Sequence, residues 1–221
     1  MIKQIAIDGP AGAGKSSVAK MVAQKLNYLF VDSGAMYRCI AALAIRKGLD
    51  QNDTAAWLDI ALTHKIDLED NSTIVKAGGI DLTDEIRSPE VTLATRFAAN
   101  NPEIRKILVN RQRQIGQSVS IVMEGRDIGT VVLPNATCKI YLDASSSVRA
   151  KRRYDQIIAK GLSANLQEIH QAVVDRDSSD KNRKVGPLKQ ADDAVYLDTS
   201  DMLFDEVVDK IIAISNGQLN D

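Results

Sequence analysis

The segment Gly9-Pro10-Ala11-Gly12-Ala13-Gly14-Lys15-Ser16 restricts the fold of this chain more than any other feature. It fits the pattern G-x-x-x-x-G-K-[ST], in which a glycine-rich turn joins a buried strand to a helix. The flanks supply both neighbours. Ile2-Lys3-Gln4-Ile5-Ala6-Ile7-Asp8 is a short apolar run that reads as a strand, and Val18, Met21, Val22 and Leu26 recur at the spacing of one helical face. The glycines let the backbone curl until successive N–H groups point inward at an anion, and the new helix adds its positive end. Lys15 then brings a mobile cation to the outer phosphates of a nucleoside triphosphate, and the Ser16 hydroxyl reaches a magnesium ion. A glycine-rich turn also occurs without a ligand, but packing gives no reason for Lys-Ser after the last glycine. Gly9, Pro10, Ala11, Gly12, Ala13, Gly14, Lys15, Ser16 and Ser17 are the expected ATP-binding residues, with Ser16 the magnesium contact.

The rest of the chain alternates strand and helix, which predicts an α/β fold with a five-stranded, mostly parallel sheet and helices on both faces. The strand candidates are Ile2–Asp8, Tyr28–Val31, Ser120–Met123, Thr137–Leu142 and Val195–Leu197. Ser88-Pro89 and Asn101-Pro102 each put a capping residue before a proline at a first helical position. Val207, Val208, Ile211 and Ile212 line one face of a last helix, from about Leu203 to Ser215. Two segments break the alternation. Lys65 to Thr83 carries two short β-like pieces, Thr73–Lys76 and Ile80–Leu82, around Gly78-Gly79 and reads as a small antiparallel insert. Arg149 to Pro187 is charged, helical in pattern and bounded by glycines, which fits a helical lid and equally an exposed helical hairpin. A single domain over 1–221 is expected, with an acceptor-binding subregion at about 34–105 and the lid at about 149–187.

Composition excludes several classes. The chain has 221 residues, 44% hydrophobic and 26% charged, enough for one core. A net charge of −1 argues against bulk attraction to nucleic acid or an anionic membrane. No apolar run approaches the roughly 18 residues of a membrane helix, and no export signal precedes the first strand. A cytoplasmic monomer acting on small molecules is expected. Cys39 and Cys138 lie far apart, in no metal or redox spacing, and read as buried thiols. His64 and His170 show no metal-ligand spacing either and receive no role.

The arginines narrow the chemistry. Arg38 closes Asp32-Ser33-Gly34-Ala35-Met36-Tyr37-Arg38, directly after the second candidate strand. Arg126 lies in Glu124-Gly125-Arg126-Asp127, directly after the third. Ligands of an open parallel sheet bind beyond the carboxyl ends of its strands, so both motifs face the crevice of the glycine-rich loop. Arg176-Asp177 and Asp180-x-x-Arg183 add two more arginines at the end of the lid segment. One arginine alone reads as a solvated charge, and half of Arg149, Lys151, Arg152 and Arg153 read that way. So many planar forks near one crevice instead suggest two phosphorylated substrates meeting in one site.

At this point the chain resembles the bacterial cytidylate kinases, within the nucleoside monophosphate kinases. The motifs are IDGPAGAGKSS, VDSGAMYR, the Arg-Gln-Arg at Arg111–Arg113, EGRDIGTVV, KIYLDAS and RDSSDKNR, spread over nearly the whole chain. The insert resembles the extra β lobe of the monophosphate-binding region in that family. The resemblance implies ATP-dependent phosphorylation of CMP or dCMP with magnesium. It implies that Ser33 and Arg38 hold the acceptor, that Thr95, Arg105 and Asp127 read the cytosine ring, and that Arg126 sits near the acceptor phosphate. Arg176 and Asp180 match contacts to the acceptor's ribose and phosphate, and Arg183 bridges the phosphates on lid closure. Lys15, Arg126 and Arg183 are the implied catalytic residues. Two residues depart from the common pattern: Thr95, where Ser is usual, and Glu124, where Asp is usual. The competing reading is a kinase of the same loop class for another small acceptor, UMP or a sugar acid. An alcohol acceptor would need fewer arginines and would benefit from a basic carboxylate.

Overall fold

The computed structural model describes residues 2–159 and 161–218. A five-stranded sheet forms its centre, built from β1 (Gln4–Asp8), β2 (Leu29–Asp32), β6 (Ile121–Gly125), β7 (Cys138–Asp143) and β8 (Val195–Asp198). The order is β2-β6-β1-β7-β8, and every neighbouring pair is parallel. β1 therefore sits in the middle, and its carboxyl end feeds the glycine-rich loop.

The sheet separates two apolar layers by the period of two that strands impose. Ile5 and Ile7 point into a layer shared with Val18, Val22, Leu197, Val208 and Ile211, beneath α1 (Lys15–Leu26) and α8 (Phe204–Ser215). Ala6, Val31, Ile121 and Met123 point the other way, toward Val109 of α5 (Pro102–Ser118). A third cluster joins α2 (Ser33–Arg46), α3 (Thr54–Thr63) and α4 (Pro89–Asn100). Ser88 Oγ accepts the Val91 N–H, and Asn101 Oδ1 accepts those of Glu103 and Ile104, so both proline-marked starts are capped.

The insert forms a separate antiparallel sheet of three strands, β3 (Ile66–Glu69), β4 (Ile74–Ala77) and β5 (Ile80–Asp81). Its β3–β4 turn, Asp70-Asn71-Ser72, runs through three consecutive left-handed residues, with φ of 46°, 53° and 58°. That turn lies against the open edge of β2. Ser72 Oγ donates to Phe30 O at 2.9 Å and accepts the Asp32 N–H, while Asn71 Oδ1 accepts the Phe30 N–H.

The charged segment folds as two helices, α6 (Ser146–Ile158) and α7 (Leu166–Lys181). α6 buries only Arg149 and Ala150, and α7 only Val173 and Asp180. All five expected strands shift slightly at an end. β1 begins at Gln4, β2 and β7 each run one residue later than Tyr28–Val31 and Thr137–Leu142, β6 spans Ile121–Gly125 rather than Ser120–Met123, and β8 extends through Asp198. The parallel ladder accounts for the end of β6: Asp8 pairs with Gly125 and Asp32 with Glu124, so β6 continues until its neighbours stop.

Candidate functional site

The loop after β1 is shaped by one close approach and one open helix end. A Cβ at Gly9 would overlap the carbonyl oxygen of Leu142 on β7, so no side chain fits there. Gly14 ends the loop at φ 91° as the N-cap of α1, with no side-chain cap. The first N–H groups of α1 are thus left for an anion. Lys15 folds back over the loop, its Nζ donating to Pro10 O at 2.6 Å, and is buried. Burial and then the nearby Arg126 guanidinium pull its pKa down to about 7, with Glu124 acting against them. An ammonium so poorly compensated gains strongly from phosphate oxygens.

Ser16 Oγ donates to Glu124 Oε1 at 2.6 Å. Burial, and then Asp32, raise the Glu124 carboxyl above its ordinary range. A hydroxyl and a carboxylate side by side form the hard oxygen environment that magnesium prefers. Among the described residues no group of three or more His, Cys, Asp or Glu could hold a metal. Ser16 and Glu124 thus fit a magnesium ion that arrives with phosphates and water.

Arg38, Arg105, Arg126 and Arg183 are each matched to an aspartate. Arg38 Nη2 meets Asp32 Oδ2 at 2.6 Å. Arg105 pairs with Asp127, both buried, and its guanidinium lies 5.8 Å from the centre of the Tyr37 ring. Arg126 Nε meets Asp180 Oδ2 at 2.7 Å, and Arg183 takes the other oxygen of the same carboxylate. Burial works to raise the Asp180 carboxyl, and Arg126 and Arg183 more than offset it, leaving it below the usual range. At Asp127 burial prevails over Arg105, and the carboxyl is pushed up. Arg176 makes none of these pairs. Desolvation in the crowded cleft and then repulsion from Arg126 pull its pKa down to about 10, although part of its side chain stays open to solvent.

Lys15, Arg126, Arg176, Arg38 and Arg183 therefore share one electrostatic neighbourhood at the strand ends. Ser33 belongs to it through the backbone, donating to Glu124 O at 2.6 Å. Thr95 stands apart, since its Oγ1 donates to Val91 O on its own helix at 2.6 Å. In this rotamer it offers lone pairs outward, and donating to a ligand requires the hydroxyl to turn.

Sequence reasoning passed over four residues. In the sequence Glu124 stands out only as a departure from the family pattern, and Asp8 only as a strand end. Arg149, set partly among solvated charges, is buried: it donates to Ala144 O, to Ala11 O of the glycine-rich loop and to Asp177 Oδ2, at 2.8, 2.9 and 2.6 Å. Asp177 is its partner. Asp8 had one visible signal, a charge closing an apolar strand immediately before Gly9.

A family model described as cytidylate kinase matches residues 5–216. The cytidylate kinase of Geobacillus sp. is 43% identical over 218 residues, 98% of this chain and 97% of that protein. That of Desulforamulus reducens is 46% identical over 211 residues, 95% of each. Among solved structures, an uncharacterized protein from Eubacterium ventriosum aligns over 98% of this chain and 99% of its own at a TM-score of 0.54, with 15% identity. That last likeness speaks to the fold alone.

Proposed function

The chain belongs to the cytidylate kinase family, and on that premise we propose that it transfers the γ-phosphoryl group of ATP to CMP, giving ADP and CDP, with dCMP as a second acceptor. The observation that carries the reading is the crevice in which Lys15 faces Arg126 and Arg176, while Arg176 in turn faces Arg38, Arg126 and Arg183. One triphosphate does not need that much positive charge. A triphosphate facing a monophosphate does.

The acceptor is already a phosphate monoester with a second pKa near ~6, so it reaches the site largely as an oxyanion. No general base is needed, and the protein's work is alignment and charge neutralisation. The backbone N–H groups of the loop Gly9–Ser17, Pro10 excepted, hold the donor phosphates, and Lys15 follows the γ-phosphoryl group. Ser16, with Glu124 behind it, would hold magnesium, which would supply positive charge to offset that of the phosphates. Arg38 and Arg126 hold the acceptor phosphate, with Asp32 and Asp180 giving up part of their hold on these arginines as it enters. Arg176 and Asp180 hold its ribose side, Ser33 supports the acceptor, and Arg183 bridges the two phosphates as α6 and α7 close as a lid. Closure excludes water, the competing nucleophile. Thr95, Arg105 and Asp127 read the base. The protein is a cytoplasmic monomer in this reading, and no helix among the described residues is long and apolar enough to cross a membrane.

The deciding experiment is ADP release coupled to an indicator, run with ATP, magnesium and one acceptor at a time: CMP, dCMP, UMP, AMP or shikimate. CMP and dCMP are expected to give the highest kcat/KM. A preference for shikimate, or ADP release indifferent to the acceptor, would overturn the reading.

A further inference from the structure

Asp8 belongs to the end of β1, yet its side chain serves neither the strand nor the glycine-rich loop that follows. It is buried and reaches sideways, its Oδ1 accepting the Ile128 N–H at 2.8 Å and its Oδ2 the Gly129 N–H at 2.7 Å. These two donors open the single π turn Ile128–Val132, which begins immediately after Arg126-Asp127. Two parallel bonds from one planar carboxylate fix both the distance and the rotation of that turn, where one bond would fix only distance.

The opposite side of the turn is closed too. A Cβ on Gly129 would stand 3.2 Å from Lys139 Cδ, tighter than side chains normally pack, and 3.4 Å from Asp8 Oδ2, in ordinary contact. Lys139 cannot readily yield, because its Nζ is held by Pro134 O and by both oxygens of Asp193. Lys15, Arg126 and Asp127 are the charged groups facing Asp8 across the seam. Burying a carboxylate is costly, and an apolar residue would fill the same space more cheaply. What an apolar residue could not do is join the two loops.

We infer that Asp8 is a positioning residue, setting the spacing between the loop at Gly9–Ser16 and the acceptor-side pair Arg126-Asp127. The inference rests on the kinase reading above. Through the π turn, Asp8 orients the backbone from which Arg126 and Asp127 project, so its loss should be felt by the acceptor and its base before the donor.

Steady-state kinetics of the full chain with ATP and either CMP or UMP tests this. Wild-type activity on CMP is read first, and its absence would refute the kinase reading independently of Asp8. In Asp8→Asn the shape is kept, but one of the two N–H donors faces an amide NH2. KM for CMP is expected to rise about tenfold and the CMP/UMP preference to fall at least about threefold, with KM for ATP within about twofold. Gly129→Ala, which pushes on the same seam without altering charge, should give the same asymmetric pattern at smaller amplitude. It decides the matter should Asp8→Asn fail to fold. Equal change in both Michaelis constants, or a lower active fraction with all ratios preserved, would overturn the inference and leave Asp8 a purely structural residue.

Discussion

The glycine-rich loop and the α6–α7 pair both contribute phosphate-seeking groups, but they are held in place by different forces. The loop hangs from β1, whose Ile5, Ala6 and Ile7 are buried on both faces of the sheet, and its geometry follows from backbone packing such as Gly9 against Leu142. The helical pair has little apolar area turned inward. It is fastened to the sheet end by Arg126 to Asp180 and by Arg149 to the carbonyls of Ala11 and Ala144, and Arg149 to Asp177 ties the two helices to each other. Apolar packing has no substitute partner, so a loop built on it holds its shape with or without ligand. A carboxylate gripping arginines can be exchanged for a phosphate, since both offer two oxygens to the planar guanidinium fork. In the proposed reaction the region that has to stay is packed, and the region that has to trade contacts is paired.

The largest expected effect lies on the packed side. Lys15→Ala should lower kcat by about a hundredfold to a thousandfold or more, because the ammonium is worth most against charge developing in transfer. Near-wild-type turnover in that variant would break the comparison at its first term.

Next comes the base. Asp127 can accept from the amino group of cytosine, whereas uracil presents a carbonyl at that position. A buried mismatch of this kind costs roughly 1–3 kcal/mol, so CMP should exceed UMP by about tenfold to a hundredfold in kcat/KM. Asp127→Asn can donate to the uracil carbonyl and should narrow that gap. If CMP and UMP turnover fall in equal proportion, Asp127 only orients its neighbours Arg105 and Arg126.

The smallest effect sharpens the contrast in stability. Ile7→Ala should cost about 2–5 kcal/mol in denaturant unfolding, through lost burial and a cavity in the central strand. Asp177→Asn, on the paired side, should cost only about 1 kcal/mol or less, because the partner Arg149 keeps its carbonyl contacts. Comparable losses in the two variants would mean that the helical pair is as firmly packed as the sheet.

How much of this was legible in the chain follows the same division. The strand–loop–helix at the start, the five sheet strands and the proline-marked helix starts rest on local chemistry, such as period, turn residues and caps. All of these are present in the fold. Arg38 and Arg126 were legible as strand-end arginines because topology alone puts such residues at the crevice. What was hidden depends on contacts across the chain. Ser16 meets Glu124 from 108 residues away, Asp8 meets Ile128 from 120 and Arg149 meets Ala11 from 138. No periodicity carries such information, since the strand order β2-β6-β1-β7-β8 decides which ends become neighbours. The first strand of the insert, Ile66–Glu69, was missed as a separate element for a related reason. Its four residues, Ile-Asp-Leu-Glu, alternate apolar and charged over only two periods, too short a run to stand out, and they become a strand by pairing with Ile74–Ala77.

The turn at Asp70-Asn71-Ser72 bears on the fate of the protein in a crowded solution. A strand at the margin of a sheet offers unpaired N–H and C=O groups, a template on which a second copy of the chain can grow. Here Asn71 and Ser72 occupy the N–H groups of Phe30 and Asp32 and the carbonyl of Phe30 with side chains, and side chains do not propagate a ladder. The insert is therefore also a guard against self-association, and a chain trimmed of that turn would leave β2 open to aggregation even if its chemistry survived.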